Sequence, residues 1–81
     1  WLSPLHHAAK NGHTSTVEVL IKHGAYVDMC TMFKRTPLML AARNGHLDVV
    51  RALLAGKADP FFNCDGRGTT AFDLAADADM L

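Results

Sequence analysis

Residues 3–13 of this chain, Ser-Pro-Leu-His-His-Ala-Ala-Lys-Asn-Gly-His, return 33 positions later as residues 36–46, Thr-Pro-Leu-Met-Leu-Ala-Ala-Arg-Asn-Gly-His. The offset persists through Val17/Val50, Leu20/Leu53, Ile21/Leu54 and Ala25/Ala58. A third copy opens at Thr70-Ala71-Phe72-Asp73-Leu74-Ala75-Ala76, one residue late, and stops at Leu81. A fixed period of this size signals repeated supersecondary units that bury their apolar sides only by stacking on one another.

Each copy carries the same local signals. Ser3, Thr36 and Thr70 are N-cap residues whose hydroxyls can take a free N–H of the first helical turn. Pro4 and Pro37 follow at the first helical position, where a missing N–H costs nothing. His6 and Asp73 stand three residues after their caps and can bond back to them. A short Leu/Ala-rich helix follows. The pairs Ala8-Ala9, Ala41-Ala42 and Ala75-Ala76 let neighbouring helices approach closely. Gly12 and Gly45 supply a left-handed stop. A second helix carries Val17, Leu20 and Ile21, then Val50, Leu53 and Leu54, at helical spacing. Gly24 ends the first of these helices. Its counterpart is Lys57, with Gly56 one residue earlier, which predicts an earlier end for the second. Residues 26–35 and 59–69 are extended loops, and Asp65-Gly66-Arg67-Gly68 is strong turn chemistry.

The stretch Thr36-Pro37-Leu38-Met39-Leu40-Ala41-Ala42, continued by Gly45-His46-Leu47 and Val50, resembles the ankyrin repeat, whose pattern is Thr-Pro-Leu-His-x-Ala on a 33-residue period. Ser3-Pro4-Leu5-His6-His7-Ala8-Ala9 through Gly24-Ala25 is a second close match. Asp65, Gly68, Thr70 and Ala75-Ala76 give a third. Thr31 and Lys34 depart from the family's usual Asp and Gly in the first loop, Asp79 replaces the Gly after the third first-helix, and a residue is inserted near Cys64. The resemblance implies an all-α ankyrin solenoid of stacked helix-turn-helix units with hairpin-like loops. Residues 1–81 would form one stack, with repeats at about 1–30 and 31–64 and a partial repeat at 65–81. No polar capping repeat is visible at either end, and the start Trp-Leu-Ser-Pro reads as an internal cut, not a signal peptide. The expectation is a piece of a longer array, with further repeats or domains in the parent chain.

Composition narrows the function. Eight Lys and Arg balance eight Asp and Glu, whereas a nucleic-acid module shows a marked basic excess. No apolar run approaches the roughly 20 residues of a membrane helix. Neither a nucleic-acid partner nor direct membrane insertion is expected. A core of about 80 residues supplies only a few kcal/mol of net stability, and with two cysteines and no clear metal motif to staple it, either the fold is very economical or the chain is cut from something longer.

The chemistry-bearing side chains form no reactive constellation in the sequence. His6 and His7 are consecutive on a helix and point to different sides. His13 and His46 are equivalent in adjacent units, hence about 8–10 Å apart, too far for shared ligation. Capping, turn and packing roles for His6, His7, His13, His23 and His46 are favoured over a metal site. Cys30 and Cys64 occupy comparable loop positions. At a stacking distance of roughly 10 Å they exceed the ~7 Å limit for a disulfide, which predicts free thiols and an intracellular (cytoplasmic or nuclear) protein. No base lies near either thiol, so neither catalysis nor a cofactor is expected.

The resemblance therefore implies protein–protein recognition, with another protein or peptide gripped on first helices and loop tips. The family's variable surface positions here are Lys10, Asn11, Met32, Phe33, Arg35, Arg43, Asn44, Gly66, Arg67, Thr69 and Asp77. Met32 and Phe33 would be apolar anchors, although they can equally tuck under the loop. Phe61 and Phe62 are expected to turn toward the stack. Residues 1–57 carry seven Lys and Arg against three acidic residues, and residues 58–81 carry one against five. Lys10, Arg35 and Arg43 on one face can therefore steer an acidic partner segment. Asp28, eight residues after Leu20, fills a loop position that is Asn in many ankyrin repeats and resembles an asparaginyl hydroxylase target; a plain structural role is the favoured reading. Two other functions stay open: a regulatory, autoinhibitory or substrate-recruiting segment of a larger enzyme, channel or ligase adaptor, and a structural spacer.

Overall fold

The computed structural model describes residues 3–62 and 64. Among them four helices follow one another: α1 Pro4–Lys10, α2 Thr14–Lys22, α3 Pro37–Arg43 and α4 Leu47–Ala55. The third copy, with its expected cap Thr70, the Asp73 back-bond and Ala75-Ala76, lies outside the described residues.

The first helices start as their caps dictate. Ser3 Oγ accepts the His6 N–H at 3.2 Å, and His6 Nδ1 accepts the Ser3 N–H at 3.3 Å. In the second unit Thr36 Oγ1 accepts the Met39 N–H at 3.2 Å, and the Met39 thioether sulfur accepts the Thr36 N–H at 3.4 Å. A methionine thus completes the reciprocal box that His6 completes one period earlier.

All four helices end in the same hydrogen-bond pattern. The second residue past each cap reaches back: His13 N–H to Ala8 O at 2.9 Å, Ala25 N–H to Leu20 O at 3.0 Å, His46 N–H to Ala41 O at 2.9 Å and Ala58 N–H to Leu53 O at 2.9 Å. This arrangement needs a left-handed residue just before the reaching one. Gly12, Gly24 and Gly45 supply it, and so does Lys57 at φ 70°. The expected early end of α4 at Gly56 is therefore corrected: α4 has nine residues, as α2 has. Gly56 keeps a negative φ as the cap, and its missing Cβ serves packing. A Cβ there would stand 2.8 Å from Ile21 Cγ2.

Helix α1 packs on α3 and α2 on α4, with each unit's two helices also in contact. Ala8, Ala9, Ala41 and Ala42 are all buried, so small side chains line the seam between the first helices. Leu5, Val17, Leu38, Met39, Val49 and Leu53 fill the rest of the core. In α4 the innermost residues are Val49 and Leu53; Val50 is half-buried, and Leu54 is 42% exposed. Its equivalent Ile21 is covered because it meets Gly56 of the next unit. The opposite edge behaves likewise. Ser3, Pro4 and Leu20 are each more exposed than Thr36, Pro37 and Leu53, their equivalents one period on. Burial of a given repeat position depends on the layer beside it, as a one-dimensional stack requires. Among the described residues no helix is long and apolar enough to cross a membrane.

Candidate partner-binding face

The loop between α2 and α3 is built around Thr31. This residue is buried, and its Oγ1 accepts the N–H groups of Phe33 and Arg35, both at 3.2 Å. Its own N–H donates to Arg35 O at 2.9 Å, and Lys34 N–H donates back to Thr31 O at 3.0 Å. A threonine hydroxyl thus does the local work that a short carboxylate can do in such turns. The turn closes through Lys34 at φ 63°, the left-handed geometry that glycine adopts most easily. The departures at Thr31 and Lys34 leave the hairpin-like loop intact.

The geometry lifts the loop tip clear of the core. Met32 is 70% and Phe33 75% exposed. Tyr26 and Met29 add exposed apolar surface to the same loop. The expectation that Phe61 and Phe62 turn into the stack is corrected: Phe61 is 69% exposed and Phe62 sits at the boundary of exposure. The second loop turns them outward at Asp59, whose carboxylate accepts the Phe61 N–H at 2.9 Å and whose carbonyl accepts the Phe62 N–H at 3.2 Å.

The cations sit in two places. Arg35 is half-buried, and its Nη1 donates to the carbonyls of Phe33 and Lys34 at 3.3 and 3.2 Å, strapping the turn. Lys10 and Arg43 are exposed at the C-termini of α1 and α3, where positive charge also suits the helix dipole. The two helix ends are tied together. Lys10 O accepts Asn44 Nδ2–H at 3.0 Å and His46 Nε2–H at 3.0 Å. Asn11, the residue equivalent to Asn44, instead donates to His7 O of its own helix at 2.9 Å. Lys10, Asn44 and Arg43 are therefore brought together at the ends of α1 and α3, and Met32, Phe33 and Arg35 at the first loop tip. Gly66, Arg67, Thr69 and Asp77 lie outside the described residues.

Besides His46, His6 has a structural role. His6 is buried, and its Nε2 lies 2.6 Å from Met29 O. A carbonyl only accepts, so Nε2 carries the hydrogen and Nδ1 is left to accept from Ser3. The exposed His7 and His13 rings stand edge-on at 6.5 Å. Among the described residues no three His, Cys, Asp or Glu side chains converge on a common point.

The cysteines overturn the free-thiol expectation. Cys30 and Cys64 form a disulfide, with Cα atoms 6.0 Å apart. The helix-to-helix spacing does not govern loops, and this Cα separation lies inside the range a disulfide spans. A second link between the same loops had no signal in the spacing of residues. Asp28 Oδ1 and Oδ2 accept the Asp59 N–H at 3.1 and 3.3 Å, which gives Asp28 a structural task.

Comparison with known proteins places these features. A family model described as ankyrin repeats (three copies) matches residues 5–81. The chain is also similar to ankyrin repeat and SOCS box protein 11 of Danio rerio, 67% identical over 27 residues. That match covers 33% of this chain and 9% of the relative, so the chain aligns with a small part of that protein.

Proposed function

The chain belongs to the ankyrin-repeat family, and on that premise we propose that it is a protein–protein recognition module that grips a partner polypeptide on the α1/α3 and loop-tip face and performs no reaction. The family is one of interaction modules, and the finer reading rests on one observation: Met32 and Phe33 stand exposed on a turn whose backbone is fixed by Thr31. A fixed loop presenting large apolar side chains binds with little ordering cost. Arg35 at that loop tip, with Lys10 and Arg43 at the ends of α1 and α3, suits an acidic segment of the partner. Asn11, Asn44, Gly66, Arg67, Thr69 and Asp77 complete the proposed face. The repeats divide at about residues 30 and 64; a place inside the cell, in cytoplasm or nucleus, rests on the family alone, since the Cys30–Cys64 disulfide removes the free-thiol argument.

Affinity capture with the stack, repeated with Met32→Ser/Phe33→Ser and with Arg43→Glu, tests the reading. A captured partner should bind Arg43→Glu about tenfold more weakly, with stronger salt sensitivity in the parent chain, while the melting temperature changes little. If the loop-tip variants keep every interaction, the stack is a spacer. Loss of folding in Arg43→Glu would make Arg43 structural.

A second reading is favoured by the relative's name, which joins ankyrin repeats to a further module, the SOCS box. Here the stack is a regulatory, autoinhibitory or substrate-recruiting segment of a larger enzyme, channel or ligase adaptor. Sequence on either side of residues 1–81 discriminates the two.

A further inference from the structure

We propose that Cys30 and Cys64 form a thiol–disulfide exchange site, opened and closed by small thiols of the glutathione class, that clips the two loops together. The assignment is independent of the recognition reading, and its test uses no partner.

Three observations carry it. The sulfurs come from successive loops outside every helix, with Cα atoms 6.0 Å apart, inside the range a disulfide spans. The site is reachable: Cys30 is exposed and Cys64 half-buried, and neither belongs to the buried core cluster. The buried contacts between the layers thus include neither sulfur. Finally, the Cys30 end is held in place. Cys30 lies between two backbone pins, the Met29 carbonyl bonded to His6 and the Thr31 N–H bonded to Arg35 O. The Asp59 N–H also links the second loop to the first, through the exposed Asp28 carboxylate. Breaking the disulfide leaves Cys30 held between its pins.

The exchange balances. A glutathione thiolate attacks the exposed Cys30 sulfur, the Cys30–Cys64 bond breaks, and its electron pair leaves on Cys64, which takes a proton. A second glutathione thiolate attacks the glutathione sulfur of the mixed disulfide, and Cys30 leaves and is protonated. The protein gains two electrons and two protons, and two glutathiones become one glutathione disulfide. The reverse sequence closes the clip. Attack on Cys30 is favoured over attack on Cys64 by access.

The test equilibrates the purified chain in glutathione buffers from disulfide-rich to thiol-rich, quenches by alkylation and counts bridged molecules by mass. The bridged form should dominate at the oxidised end and the dithiol at the reduced end, with equal helical circular dichroism in both. The bridged form should melt about 5 °C or more above the dithiol. The Cys30→Ser/Cys64→Ser chain should melt with the dithiol form and ignore the buffer ratio. Three results would each overturn the proposal: thiols that stay free in excess glutathione disulfide, a bond that survives excess glutathione, or a dithiol chain that loses its helices. The last two would make the bond a permanent structural staple.

Discussion

The imidazole of His46 occupies the space that a side chain on Gly12 would need: a Cβ at Gly12 would stand 2.7 Å from His46 Nδ1. The same imidazole holds Lys10 O through its other nitrogen, so the first turn and the start of α4 are fitted to each other through an absent methyl group. Gly45 has the same φ of 74° as Gly12, but a Cβ there would meet nothing within 4 Å. Gly12→Ala and Gly45→Ala therefore share a left-handed backbone cost of about 1–2 kcal/mol. Gly12→Ala carries roughly another 1 kcal/mol for the displaced His46. Urea midpoints of the two variants measure the difference. Equal midpoints would show that His46 yields freely.

Lys34 and Lys57 hold left-handed backbone at φ 63° and 70°. A glycine relieves about 1–2 kcal/mol at each site and returns part of it through the greater freedom of the unfolded chain. Lys34→Gly and Lys57→Gly should each stabilise by about 0.5–1 kcal/mol. The gains should add, since the sites lie in different loops. Thermal unfolding of the two single variants and the double variant checks both statements.

Thr31 supports the first loop with one oxygen that accepts two backbone N–H groups. Thr31→Ala strands those donors and should cost about 1–2 kcal/mol. Thr31→Ser keeps the oxygen and should retain most of that stability. Hydrogen exchange at Phe33 and Arg35 supplies the local readout: faster in the alanine variant, near the parent rate in the serine variant.

His6 and Met39 stand at equivalent places and complete equivalent capping boxes. Only His6 adds a bond to a loop carbonyl, at Met29 O. His6→Met copies the second unit's solution into the first and keeps the volume nearly constant, but it leaves Met29 O without its donor. The expected loss is about 1–2 kcal/mol, read as a lower urea midpoint with helical content retained. An unchanged midpoint would mean that the carbonyl finds another donor.

Much of this architecture could be read from single residues. Ser3 and Thr36 started helices, Gly12 and Gly45 stopped them, and the alanine pairs marked the seam, because caps and turns are decided within a few residues of chain. Where the deciding neighbour lay a whole unit away, the reading failed. Leu54 holds the repeat position of Ile21, which packs against the core beside Gly56 of the next unit, yet Leu54 is exposed. Gly56 looked like a stop signal and is instead a place for Ile21 to rest. Cys30 and Cys64 were judged by a helix-axis spacing, which does not govern the loops that carry them. In the candidate face, the positions of Met32 and Phe33 at the loop tip were legible. The strap from Arg35 to its own turn and the bond from Asn44 to Lys10 were not, because side-chain hydrogen bonding leaves no periodic trace.

The Cys30–Cys64 bond closes a covalent ring that contains α3 and α4 entire. A protease that nicks the chain once anywhere between those cysteines therefore releases nothing. The two pieces remain one molecule of unchanged mass apart from an added water, and they separate on a denaturing gel only after a reductant is added.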